Sequence, residues 1–119
     1  MIERKRGHIC AISSLSAKAT FPNGTAYCAS KFGVDGFMNS LFDELCADDH
    51  DEFIKLTTVF PFFINTRKQL TDVLDTIAAK EFTPRVIPRD AANQIVQSIM
   101  LDKRHAYVPP FLQILRLAQ

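Results

Sequence analysis

The chain has no tryptophan, only three cysteines and only four glycines among its 119 residues. Cys10, Cys28 and Cys46 are too few and too irregularly spaced for a disulfide framework. There is no C-x-x-C, and His8, His50 and His105 pair with nothing at ligand spacing, so reduced thiols and no metal are expected. The glycines at 7, 24, 33 and 36 never form G-x-G-x-x-G, which excludes a glycine-rich phosphate-binding turn within these residues. Charge of neither sign dominates: the net charge is +1, so no field points toward nucleic acid or an acidic substrate. No apolar run approaches the roughly 20 residues that span a bilayer. Glu3-Arg4-Lys5-Arg6 leads into a short strand rather than into the apolar core of a secretory signal.

What is present fits a soluble globular class, with 47% hydrophobic and 23% charged residues in a length that suits one small domain. Ten phenylalanines are available to fill a core. His8 to Ser13 is a nearly continuous apolar run and is expected to form a buried strand. Leu15 to Thr25 is polar and rich in small residues, with Pro22-Asn23-Gly24 as a turn signal. Asn23-Gly24-Thr25 matches a glycosylation acceptor but is better explained as that turn.

A helix is expected from about Ala26 to Ala47. Its apolar stripe is Val34, Phe37, Met38, Leu41, Phe42 and Leu45, with Asp35, Asn39 and Asp43 on another face. Asp48 to Glu52 is a charged connector. Ile54 to Phe60 is rich in branched and aromatic residues and stops at Pro61, as a second strand would. After an extended loop through Thr66, residues 69–79 are weakly helical. Arg89-Asp90 opens a further helix to about Leu101, with Ala92, Ile95, Val96 and Ile99 as its apolar face. Ala106 to Val108 is a short third strand, and Phe111 to Gln119 begins an amphipathic helix. Strands alternating with helices imply an α/β fold with parallel strands, about half of a doubly wound sheet.

One pair in this layout has the makings of chemistry. Tyr27 and Lys31 stand four apart on a helix and so share a face. The stripe they extend turns them toward the body of the protein. A nearby ammonium favours a phenolate over a phenol, which suits a tyrosine to proton transfer. Taken singly, Tyr27 is as well explained as a half-buried tyrosine, Lys31 as an exposed helix residue, Ser13 and Ser14 as loop caps, and Thr66 as a helix cap. Cys28 has no base beside it and is expected to pack.

Taken jointly, Gly7 to Ser14 (Gly-His-Ile-x-x-Ile-Ser-Ser), Tyr27-Cys-Ala-Ser-Lys31-Phe32 and Val59-Phe-Pro61-Phe-Phe-Ile-Asn-Thr66 resemble the catalytic half of the short-chain dehydrogenase/reductase family. The resemblance covers essentially all 119 residues. It implies a Rossmann-like sheet of about three strands with flanking helices, one partial domain over residues 1–119, and absence of the N-terminal dinucleotide-binding half. It implies catalytic roles for Ser14, Tyr27 and Lys31: a hydroxyl on the reacting oxygen, the general acid/base, and the ammonium that tunes the phenol and holds the nicotinamide ribose. Ser14 is preferred to Ser13 because it lies thirteen residues before Tyr27, the family's spacing.

Cofactor contacts implied are Tyr27, Lys31, Pro61, Ile64 and Thr66, with NAD or NADP as the cofactor and NAD favoured. The reaction implied is interconversion of an alcohol and a carbonyl on a small hydrophobic substrate. The Pro-Phe-Phe-Ile-Asn-Thr and Tyr-Val-Pro-Pro segments resemble the branch acting on retinoids, steroids and other lipids. For that branch the expectations are a homodimer through the helix after Tyr27 and a place on the cytoplasmic face of the endoplasmic reticulum or on lipid droplets. Membrane association would come only through a segment outside this stretch.

The sequence also departs from the family pattern. The glycine-rich turn, the ribose selector and the upstream asparagine of the family are absent, Pro61-Phe62 replaces Pro-Gly, and Ser16-Ala17-Lys18 replaces Ala-Gly. These departures leave a second reading, a truncated or degenerate chain without catalysis that acts at most as a dimerising module.

Overall fold

The computed structural model describes residues 1–66 and 85–118, with no side-chain description beyond residue 114. Three parallel strands, β1 (Gly7–Ile12), β2 (Ile54–Pro61) and β3 (His105–Val108), form a sheet in the order β1-β2-β3. Helix α1 (Thr25–Ala47) connects the first two strands, and α2 (Pro88–Met100) precedes the third. The expected helix over residues 69–79 lies outside the described residues.

β2 lies between its two neighbours and is buried nearly end to end, as a central parallel strand covered on both faces must be. Its alternating side chains sort the core into two layers. Ile54 and Leu56 face α1, where they pack with Met38 and Leu45 and the partly buried Ile9, Ala11, Val34, Leu41 and Phe42. Phe60, further along the same face, packs with Tyr107, Leu15, Ala17 and Leu112. The opposite face carries Val59, Ala106 and Val108 against Val86 and Ala91, with Ile64 and Ile95 at the margin. Phe60 and Tyr107 stack with centroids 5.0 Å apart.

Three burial patterns differ from the sequence expectation. Among the described residues β1 is covered chiefly on one face: Ile9 and Ala11 pack under α1, while Cys10 and Ile12 are exposed. Its continuous apolar run therefore does not mean two covered faces; α2 packs against β2 and β3. In α1, Phe37 is 66% exposed, whereas Asp35 is only 7% exposed. Val34, Met38, Leu41, Phe42 and Leu45 of the expected stripe do pack on the sheet; Phe37 is the exception, and Asp35 is buried with Lys18 as its partner. In α2 the buried line is Ala91, Ile95 and Ser98 rather than Ala92 and Val96. Pro88 in the first turn fits the ring's fixed φ and missing N–H, and Asp90 there complements the positive end of the helix dipole.

Two loop segments also take defined form. Leu15–Ala17 is a short 3-10 turn capped by the Ser14 side chain, and Pro110–Ala118 is a 3-10 helix where an amphipathic α-helix is expected. All three cysteines are free.

Candidate active site

The strands run in parallel, so Ile12, Pro61 and Val108 end at one edge of the sheet. Ligands of open α/β sheets bind in the crevice at this carboxyl edge. The chain leaving β1 supplies Ser13 and Ser14; the chain leaving β2 supplies Phe62 to Thr66. Phe62 N–H donates to the Val108 carbonyl at 2.8 Å, and Ser13 N–H donates to the Val59 carbonyl at 2.8 Å. Both loops are thus bonded to the strand ends beside them.

The first turns of α1 bring Tyr27 and Lys31 to this edge. Asn23, in the left-handed region at φ 63°, turns the chain into the helix, as the Pro-Asn-Gly signal indicates. A Cβ at Gly24 would stand 2.5 Å from the Phe21 ring, so glycine lets that ring lie close to the helix start, 6.3 Å from the Tyr27 ring. The Lys31 ammonium lies 5.7 Å from the centre of the Tyr27 ring and donates to the Ile12 carbonyl at 3.2 Å. Helical spacing makes the pair, and the end of β1 anchors its cation. Tyr27 is 48% exposed, so its ring stands at the open edge rather than turned into the body.

Ser14 is buried and occupied locally. Its oxygen accepts from the Ser16 N–H, and its hydroxyl donates to Ser16 Oγ, both at 3.1 Å. Ser13 instead donates to the Lys31 carbonyl at 3.1 Å, tying the end of β1 to α1. Around the second loop, Ile64 bridges to Val86: Asn65 N–H donates to the Val86 carbonyl at 2.9 Å, and Val86 N–H donates to the Phe63 carbonyl at 3.2 Å. Thr66 N–H donates to the Ile64 carbonyl at 2.8 Å, and the Thr66 side chain is exposed. Pro61 closes β2 and is partly buried.

Two residues at the site carry no signal in the sequence taken alone. Lys18 and Asp35 form a 2.6 Å ion pair between the Ser14 turn and α1, and the Lys18 ammonium also sits 5.1 Å over the Phe60 ring.

Comparison with known proteins agrees with this architecture. The short chain dehydrogenase family profile matches residues 1–75. Human epidermal retinol dehydrogenase 2 is 37% identical over 115 residues, covering 94% of this chain and 35% of that protein. Estradiol 17-beta-dehydrogenase 11 of Pongo abelii is 27% identical over 115 residues, covering 97% of this chain and 36% of that protein. A solved short-chain type dehydrogenase/reductase from Mycobacterium ulcerans superposes with a TM-score of 0.69 at 21% identity, over 90% of this chain and 41% of that one.

Fold and site together define a piece of a doubly wound, Rossmann-type sheet with a tyrosine–lysine pair at its carboxyl edge. The chain belongs to the short-chain dehydrogenase family. It spans about a third of the length of the curated relatives it matches.

The family generally uses a nicotinamide dinucleotide. The donor set here fits one end of such a molecule: a phenol and an ammonium lie side by side at the strand edge, where ribose hydroxyls and a carbonyl oxygen could be met. The 119 residues include no G-x-G-x-x-G turn for the pyrophosphate, so the fit is confined to the nicotinamide-ribose end. Among the described residues, no helix is long and apolar enough to cross a membrane.

Proposed function

We propose that this chain is the catalytic segment of an NAD(P)-dependent oxidoreductase that interconverts an alcohol and a carbonyl on a hydrophobic substrate. The observation that carries the reading is the Tyr27–Lys31 pair at the carboxyl edge, its cation bonded to the end of β1. Tyr27 serves as the general acid/base, passing a proton to a carbonyl oxygen or taking one from an alcohol. Lys31 serves as the fixed positive charge that favours the phenolate during transfer and holds ribose hydroxyls. Ser14 serves as the hydroxyl that orients the reacting oxygen, which requires it to exchange its bond to Ser16 Oγ for one to substrate. Pro61, Ile64 and Thr66 flank the nicotinamide. When bound, the dinucleotide supplies the hydride, and the protein supplies position and proton transfer.

Substrate class rests on the relatives and on the apolar edge. Two of the relatives are named for retinol and estradiol, both hydrophobic alcohols. Phe21 and Phe111 are exposed near the ends of the elements that frame this edge, and Phe62 and Phe63 lie in the loop after β2, their rings 4.6 Å apart. A homodimer through α1, whose Phe32 and Phe37 are exposed, and a location at the endoplasmic reticulum or lipid droplets complete the reading.

The test is Tyr27→Phe in the protein that carries this chain, assayed for cofactor reduction with retinol and with estradiol. Loss of a general acid/base costs about 10²- to 10⁴-fold in turnover. Cofactor affinity, followed by fluorescence of the reduced dinucleotide, is expected to hold. Undiminished turnover would overturn the role given to Tyr27.

A further inference from the structure

We propose that the Lys18–Asp35 ion pair is a positioning device that sets the Ser14 hydroxyl against Tyr27; the proposal rests on the catalytic reading of Ser14, Tyr27 and Lys31 given above. Ser14 and Lys18 bracket one short element. Ser14 caps the 3-10 turn Leu15–Ala17, and Lys18 closes it, with its N–H donating to the Leu15 carbonyl at 2.8 Å. Whatever holds Lys18 therefore holds the turn that carries Ser14.

The partner lies on the helix that carries the other two groups. Tyr27, Lys31, Asp35 and Asn39 recur every four residues along α1 and so follow one side of it. Three of them are tied to three different parts of the sheet layer. Lys31 donates to the Ile12 carbonyl at the end of β1. Asp35 accepts from Lys18 at 2.6 Å. Asn39 accepts from the Arg104 guanidinium at 2.9 Å, while its amide donates to the second Asp35 oxygen at 3.4 Å.

The ion pair is the link in this series that joins α1 to the Ser14 turn. Its side chains are 20% and 9% exposed, and the Lys18 ammonium is also seated over the Phe60 ring, itself fully buried. A charged hydrogen bond this short between largely buried partners is directional as well as attractive. Packing of Leu15 and Ala17 brings the turn into the core; the ion pair fixes its position along the helix axis. That coordinate separates a serine and a tyrosine that must meet one oxygen. A misplacement of about 1 Å from such a site can cost about 10²-fold in rate.

The experiment compares Asp35→Asn, Lys18→Met, the neutral double variant and Lys18→Arg in the protein that carries this chain. It reads steady-state kcat and KM together with amide hydrogen exchange. The expected result is a loss in kcat of about tenfold or more with little change in KM for Asp35→Asn, Lys18→Met and the double variant. The Lys18 and Ala19 amides, both bonded to the Leu15 carbonyl, should exchange faster. Lys18→Arg, which keeps the charge and the donor, should recover most of the loss.

The double variant carries no orphaned charge, so retained protection at Val59 and Phe60 of β2 shows that it is folded. Full kcat in the folded double variant overturns the proposal, and so does unchanged exchange at Lys18 and Ala19. An active Tyr27→Phe overturns the catalytic reading itself. An inactive Tyr27→Phe beside a fully active Asp35→Asn overturns only the role of the pair.

Discussion

Replacing Arg104 with methionine tests how α1 is held to the sheet. The guanidinium of Arg104, at the entrance to β3, donates to the Met38 carbonyl at 2.7 Å, to Asn39 Oδ1 at 2.9 Å and to Thr58 Oγ1 at 3.3 Å. It also lies 4.7 Å from the centre of the Phe42 ring. One side chain thus joins two turns of α1 to the middle of β2. A hydrogen bond involving a charged group contributes about 1.5–3 kcal/mol, and a partly exposed cation–π contact about 0.5–1 kcal/mol.

Arg104 is only partly buried, so water recovers some of this when the side chain is lost. Methionine retains much of the aliphatic stem, which leaves the polar contacts as the difference. The expected cost of Arg104→Met is about 2–4 kcal/mol. With a urea slope of about 2 kcal/mol/M, the middle of the usual range, the unfolding midpoint should fall by about 1–2 M with unchanged slope. Arg104→Lys, which keeps a charge but not the planar fork, should lose about half as much. A midpoint shift below about 0.3 M for Arg104→Met would refute the view that this guanidinium clamps the helix.

Three further outcomes follow from particular contacts. Phe60→Ala removes a fully buried ring stacked on Tyr107 and should destabilise the protein by about 3–5 kcal/mol in equilibrium unfolding. Desolvation, and then the carboxylates of Asp51 and Asp43, push the Cys46 thiol up. Its thiolate should therefore form only at more alkaline pH than that of a free thiol. Iodoacetamide labelling followed by mass spectrometry should show Cys46 reacting more slowly than a cysteine peptide at pH 8, and Asp51→Asn should speed it. Lys31→Met removes the cation at the Ile12 carbonyl and should lower turnover by at least about tenfold while α1 stays helical by circular dichroism.

Much of the layout was legible in the sequence because it is local. The Ile54 to Pro61 run reads as a strand since its branched and aromatic residues suit a pleated surface, and it is buried on both faces. Pro-Asn-Gly reads as a turn because asparagine tolerates the left-handed backbone that Asn23 adopts. The Tyr27–Lys31 pairing follows from helical spacing. Less legible was where the buried face of each helix would end. Phe37 has every local reason to pack and is exposed, whereas Asp35 has every local reason to be solvated and is covered. A residue seventeen positions away supplies the partner that makes burial of a carboxylate tolerable, and no helical period contains that information.

The same division runs through the candidate site. Sequence by itself determined the alternation of strands and helices, the parallel sheet that follows from it, and the spacing that puts a phenol beside an ammonium. The alternation and the spacing depend on interactions within a few residues, whose geometry the backbone repeats, and the parallel sheet follows because a helix between two strands returns the chain in the same direction. Tertiary structure decided that the ammonium is bonded to the end of β1, that Ser13 bonds α1 while Ser14 caps its own turn, and that Lys18 meets Asp35. Those contacts join segments brought together by the packing of α1 on the sheet. They depend on its seating, to which buried charge and core shape contribute together.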